Sequence, residues 1–225
     1  RKGNERVLKA RLDDASFFVS SDLSINCEER VKKLDRVTFA EGLGTLLDRS
    51  QRIKWIVSYL SDKLNFSEAK KRISISAAHF CKHDLVSQIV SEFPDLQGIM
   101  GGKYLLSEGY DREIALAVVE HYLPKGSSDL LPKTDSGAIL ALAERFEILL
   151  SIFAKGERPS GSSDPYALRR SANGILQILW SMNWSINIYE LLANCIDHWK
   201  TIFPDLSIND FVLIKELSDF IRVRI

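Results

Sequence analysis

Apolar residues recur three and four positions apart along almost the whole chain. That is the period of an α-helix with one buried face, and not of a strand. One stripe runs Val7, Leu8, Leu12, Ala15, Phe18 and Val19, and another Ile53, Ile56, Val57, Leu60 and Leu64. The longest is Ile139, Leu142, Ala143, Phe146, Leu149, Leu150 and Phe153. Ile188, Leu191, Leu192, Cys195, Ile196 and Trp199 repeat the pattern, as do Phe211, Ile214, Leu217 and Ile221. No alternating run competes, since Val37-Thr38-Phe39 is too short to make a strand. The pattern predicts an all-α protein. With 225 residues, 45% of them hydrophobic, the chain can bury a substantial core without disulfides or structural metals.

Breaks between the stripes are also legible. Gly42 and Gly44 precede one helix, and Pro94 suits the first turn after Glu92-Phe93. Two loops rich in Gly, Ser, Asp and Pro run from Leu123 to Gly137 and from Lys155 to Arg170. The second leads into a helix start, with Asp164 as its expected N-cap and Pro165 at the first helical position. Apolar stripes continue on both sides of this loop, so a single domain spanning residues 1–225 is expected.

The balance of charge limits what can be inferred about partners. Thirty basic and thirty acidic residues cancel, so a nucleic-acid surface would have to be a local patch. Three widely spaced cysteines, Cys27, Cys81 and Cys195, suit neither a zinc ribbon nor a disulfide framework and favour a reducing compartment. No apolar run reaches the length of a membrane span, so no membrane partner is expected. The chain begins at Arg1 and has methionine only at positions 100 and 182, which makes it an expected internal piece of a longer protein.

The residues with the most obvious chemistry lie in "HFCKHDLVSQIVSEFPDLQGIMG", from His79 to Gly101. His79 and His83 are four apart and share a face if both are helical. Asp84 could add an oxygen ligand for a metal. A closed zinc site needs four ligands and a catalytic one three plus water, and His121 and His198 have no ligand-like spacing. The alternative is a pair of surface or capping histidines near a helix end. Cys81 is expected to be a buried small hydrophobe. Gly98 to Gly102 lacks the Lys-Ser/Thr of a phosphate loop and follows no strand, so it reads as close helix packing. The Arg169-Arg170 pair could contact phosphates, against the default of solvated arginines paired with neighbouring acids.

Five signatures in order make the sequence less anonymous: "GNERVLKARLDDASFF", "VTFAEGLGTLLDRSQRI", "KHDLVSQIVSEFPDLQGIMG", "EHYLP" and "GSSDPYALRRSANGIL". Together they resemble the beta subunit of the bacterial-type heterotetrameric glycyl-tRNA synthetase, over almost the whole chain. The resemblance implies part of a class II ligase for glycine and its tRNA. In it the beta subunit serves tRNA binding, while ATP and magnesium act at the active site of the alpha subunit. The implied partners are tRNA(Gly) and that alpha subunit, or a fused alpha region. The implied location is the bacterial cytoplasm, or an organelle for a plant-type relative. The fold implied is an HD-domain-like helical bundle, non-catalytic and without a cofactor of its own.

An HD-type phosphohydrolase needs an early histidine, the His-Asp pair and a distant aspartate. Here the early position falls around Gln51-Arg52, and Glu144 in "LALAERFEIL" stands at the late one. The synthetase family typically carries Lys-Ala-Asp at Lys82-His83-Asp84, so His83 departs from its pattern. His83, Asp84 and Glu144 are therefore expected to be degenerate metal positions. A cation should pair with Asp84 or Glu144 where a metal would sit. The resemblance points to Arg52, Lys82, Arg169 and Arg170 as tRNA-binding residues. Two alternatives are a metal-dependent phosphohydrolase using His79, His83, Asp84 and Glu144, and a purely structural spacer.

Overall fold

The computed structural model describes residues 2–126, 128–203 and 208–224. Eleven α-helices are present among them: α1 (Lys2–Asp22), α2 (Cys27–Lys33), α3 (Leu46–Lys63), α4 (Glu68–Phe80), α5 (Gln88–Glu92), α6 (Ile99–Ser107), α7 (Arg112–Glu120), α8 (Asp135–Ala154), α9 (Leu168–Met182), α10 (Ile188–Ile202) and α11 (Asp210–Arg222). Short 3-10 turns follow α2, α4 and α5. The described residues form no strand. Thr38 and Thr45 make only an isolated bridge, so the protein is all-α.

Most helix starts are written locally. Asn26, Thr45, Ser67, Ser87, Asp111, Thr134, Asn187 and Asn209 each accept a hydrogen bond from a first-turn amide. Thr45 and Asp48 form a reciprocal capping box at α3. Just upstream, Gly44 has φ +77°, and a Cβ there would lie 2.4 Å from Asp48 Oδ2. Only glycine fits that approach.

The core is organised about α8. From Ser136 to Phe153 every residue except Glu144 is buried. A helix apolar on nearly all sides belongs in a protein interior. It is surrounded by α3, α4, α7 and α9, with α10 and α11 closing against it. Gly101 and Gly102 let α6 meet α7. A Cβ on Gly102 would lie 2.6 Å from Val119 Cγ2 and 2.8 Å from the Ala115 carbonyl, which is the expected close packing.

Several local expectations need correction. The α1 stripe is covered only in its second half, and there only partly. Val7, Leu8 and Leu12 are each at least 60% exposed, because this end of α1 extends past the helices that cover Phe18 and Val19. Phe211 is 77% exposed, and the buried face of α11 is Leu213, Leu217 and Ile221. The loop between α7 and α8 ends at Thr134, so Gly137 is helical; its Ser127 lies outside the described residues. Finally, α9 starts at Leu168, three residues beyond Pro165. Ala167 takes the N-cap position in a left-handed conformation, φ 54°. Asp164 still caps: its carboxylate accepts from Leu168 N at 2.8 Å and Arg169 N at 3.0 Å.

Candidate functional site

The polar centre of the molecule is an ion-pair cluster between α3, α8 and the chain after α4. Two acids on α8 are three residues apart and so share a face of that helix. Glu147 is fully buried; it accepts from Arg49 Nε at 2.7 Å, Arg52 Nε at 2.9 Å and Ser151 Oγ at 2.8 Å. Trp199 Nε1 donates to the same Ser151 hydroxyl at 3.1 Å, which ties α10 to the cluster. Glu144 Oε1 faces Arg49 Nη2 and Lys82 Nζ, both at 2.9 Å. Burial opposes ionisation of Glu144, but Arg49 and Lys82 overcome it and hold its carboxyl well below the usual range.

Lys82 sits at the join. Its ammonium donates to His121 Nε2 at 3.1 Å and lies 4.2 Å from the centre of the Tyr122 ring. His121 Nδ1 faces the Val118 carbonyl at 2.6 Å, so this nitrogen carries the proton and Nε2 is free to accept. Burial, and then the Lys82 charge, keep this imidazole neutral, far below its ordinary pKa. Burial likewise raises the Tyr122 hydroxyl well above its usual range.

The His83-Asp84 pair is turned away from this centre. The α-helix stops at Phe80, so His83 lies in a 3-10 turn and does not share a helix face with His79. His79 pairs at the surface with Glu28 at 2.9 Å. His83 is fully buried; its Nε2 donates to the Gly101 carbonyl at 3.1 Å and its Nδ1 accepts from Arg30 Nε at 3.3 Å. Burial first, then Arg30, lower its pKa to about 3. Asp84 Oδ2 accepts from the amides of Gly98 at 2.6 Å and Gly101 at 3.0 Å, fixing the start of α6. The described residues contain no group of three or more His, Cys, Asp or Glu side chains placed to hold a metal. Cys81 is a buried thiol, pushed up to about 12 by desolvation.

Of the cations singled out in the sequence, Arg52 and Lys82 are each 1% exposed. Their charge is directed at Glu147 and at Glu144, which takes them out of direct reach of a polyanion and gives them a supporting role. The cation expected at Asp84 or Glu144 is found at Glu144, supplied by Lys82 and Arg49. Arg52 belongs to Glu147 instead. Arg169 is partly exposed and Arg170 exposed, both in the first turn of α9. Arg49, Tyr122, Arg145 and Glu147 were not singled out in the sequence, and His121 was set aside for its spacing. The available signal was Glu144, Arg145 and Glu147 inside an otherwise apolar helix, since charges there must find partners.

A cavity of about 670 Å³ opens above the cluster. Arg49, His121, Tyr122, Glu144, Arg145 and Arg170 are among its lining residues. Arg145 is buried and holds its wall together, donating to the carbonyls of Ala141 at 2.8 Å, Pro124 at 2.9 Å and His121 at 3.3 Å. The passage of α9 over it depends on Gly174, where a Cβ would lie 2.4 Å from Arg145 Nε.

Comparison with known proteins is consistent over the whole chain. The model of the family described as glycyl-tRNA synthetase beta subunit matches residues 1–225. The glycine–tRNA ligase beta subunit of Trichodesmium erythraeum is 43% identical over 223 residues, 99% of this chain and 31% of that protein. That of Streptococcus agalactiae is 45% identical over 224 residues, 100% of this chain and 32% of the relative. That of Listeria welshimeri is 44% identical over 196 residues, 87% and 28% of the two chains. The chain thus spans about a third of the length of these relatives.

Proposed function

Because the chain belongs to the glycyl-tRNA synthetase beta subunit family, we propose that it is a non-catalytic helical domain contributing to tRNA(Gly) binding and subunit architecture in a glycine–tRNA ligase. The family match across all 225 residues carries this reading. In it the HD-like scaffold has become a structural core, and ATP, magnesium and glycine are handled by the alpha subunit or a fused alpha region. The site chemistry supports the non-catalytic half of the proposal. Glu144 and Glu147 are already paired with Arg49, Arg52 and Lys82, so neither acid is available to a divalent ion without displacing a cation. The tRNA half draws on Arg169 and Arg170, with Lys125 across the cavity mouth, as phosphate contacts in a protein whose net charge is zero. Cytoplasmic location follows from the same proposal.

Two measurements test it. The protein should give no glycine-dependent ATP–pyrophosphate exchange, and it should bind tRNA(Gly) with an affinity that falls steeply between 50 and 300 mM salt. Robust exchange by a preparation free of contaminating enzyme would overturn the non-catalytic assignment. The phosphohydrolase alternative would require stoichiometric metal in untagged protein and turnover of nucleotide substrates abolished by His83→Ala. No described contact of His83 favours that result, since both its nitrogens are engaged by Arg30 and Gly101.

A further inference from the structure

Two features of the cavity above the ion-pair cluster are not explained by its role in packing. The first is charge. Arg49, Lys125, Arg145 and Arg170 line it against Asp95 and Glu144, in a protein with no net charge. The Arg170 guanidinium and the Lys125 ammonium form no hydrogen bond or ion pair among the described residues, although Lys125 is near enough to Asp129 to help lower that carboxyl. The second is aromatic surface: Phe39, Tyr122 and Tyr166 are among its lining residues.

We propose that this cavity binds a nucleotide unit, with the phosphate at Arg170 and Lys125 and the base against the tyrosine and phenylalanine walls. Each part of the ligand meets a matching group. An exposed guanidinium is suited to a phosphate because its planar fork offers paired donors. Flat aromatic walls accept a base by stacking whatever its sequence identity. The cavity volume falls within the range of about 300–1,000 Å³ typical of small-ligand sites. The occupant could be a free 5′-nucleotide or an unstacked nucleotide of an RNA chain; the chemistry recognised is the same. The inference shares Arg170 and Lys125 with the proposed tRNA contacts and goes beyond them in naming what the cavity holds.

Isothermal titration of the protein with AMP, adenosine, ribose 5-phosphate and inorganic phosphate tests it. AMP should bind at least tenfold more tightly than any of the other three. Arg170→Ala, at an exposed position, should weaken AMP binding at least fivefold with an unchanged melting temperature. Tyr166→Ala should weaken AMP but not inorganic phosphate. A four-nucleotide single-stranded RNA separates the sources. Binding at least tenfold tighter than AMP, and equally sensitive to Arg170→Ala, identifies a nucleotide within a chain; comparable or weaker binding identifies a free nucleotide. AMP and the RNA both failing to bind, or both binding regardless of Arg170→Ala, overturns the proposal. Failure here with tRNA(Gly) still bound would leave the proposed function intact. AMP binding without tRNA binding would do the reverse.

Discussion

At the scale of single residues, the charge of this core is arranged around two glutamates. Glu147 is the more demanding, because it is completely buried and answers two guanidinium groups. Arg52 depends on it most, since Arg52 Nη1 and Nη2 have no hydrogen-bond partner among the described residues. That guanidinium lies instead 5.1 Å from the Phe203 ring centre. Breaking a buried ion pair from one side strands the other charge, at a cost of about 3–5 kcal/mol. Glu147→Gln should therefore lower unfolding free energy by about that amount in a denaturant titration. Adding Arg52→Met to it should recover part of the loss, because one stranded charge is then removed. A single mutant within about 1 kcal/mol of wild type would show that solvent reaches the pair.

At the scale of elements, helix starts follow simple local chemistry, with α9 as the informative exception. Its capping acid stands outside the helix, and Ala167 carries the left-handed turn that brings the Asp164 carboxylate onto two amides. Asp164→Ala should cost about 1 kcal/mol through loss of the cap. Asp164→Asn should cost less, because an amide oxygen still accepts. Denaturant midpoints unchanged in the alanine variant would show that water replaces the carboxylate fully. This start also places Arg170, so a variant that keeps its stability yet loses tRNA binding would move Asp164 from scaffold to recognition surface. The His79-Cys81-His83 stretch shows the opposite behaviour. Its helical spacing is plain in the sequence, yet the helix ends at Phe80 and one histidine pairs with Glu28 near the surface while the other goes to the core.

At the scale of the whole molecule, two buried neutral histidines should set the acid limit of stability. His83 has its pKa lowered to about 3, and His121 is also depressed, both by burial first. Such groups stay neutral in the fold and take up protons when unfolded, below their ordinary value of 6.5. Stability is therefore fully present above that value and is lost as pH falls toward the folded-state pKa. Between pH 7.5 and 5.5 His83 alone should remove about 1 kcal/mol, with His121 acting in the same direction. Glu144, depressed, adds a further loss once pH passes below the ordinary carboxylate range. Asp84 works in the other sense there, since burial raises its pKa and protonation favours the folded state. Unfolding midpoints at the two pH values should differ in this direction, and His83→Gln should flatten the difference. Equal midpoints for the wild-type protein would sink the assignment.

The sequence by itself determined what depends on near neighbours. Helical period, the loop glycines and the close approach at Gly101 and Gly102 are all local or nearly so, and they were readable. The family resemblance was readable too, because five signatures in order are improbable by chance. Burial of Cys81 and a cation beside Glu144 were also within reach. Only the tertiary structure decided which cation that is. Arg49, Lys82 and Glu144 come from three separate elements, and their pairing depends on how α3, α4 and α8 cross. The same holds for the exposed half of α1: an apolar stripe records a preference for burial, while the helices around it decide whether any partner is there. Arg52 and Lys82 look like surface cations in a string of letters. Packing put them inside, where an acid within 3 Å stabilises a charge that water no longer can.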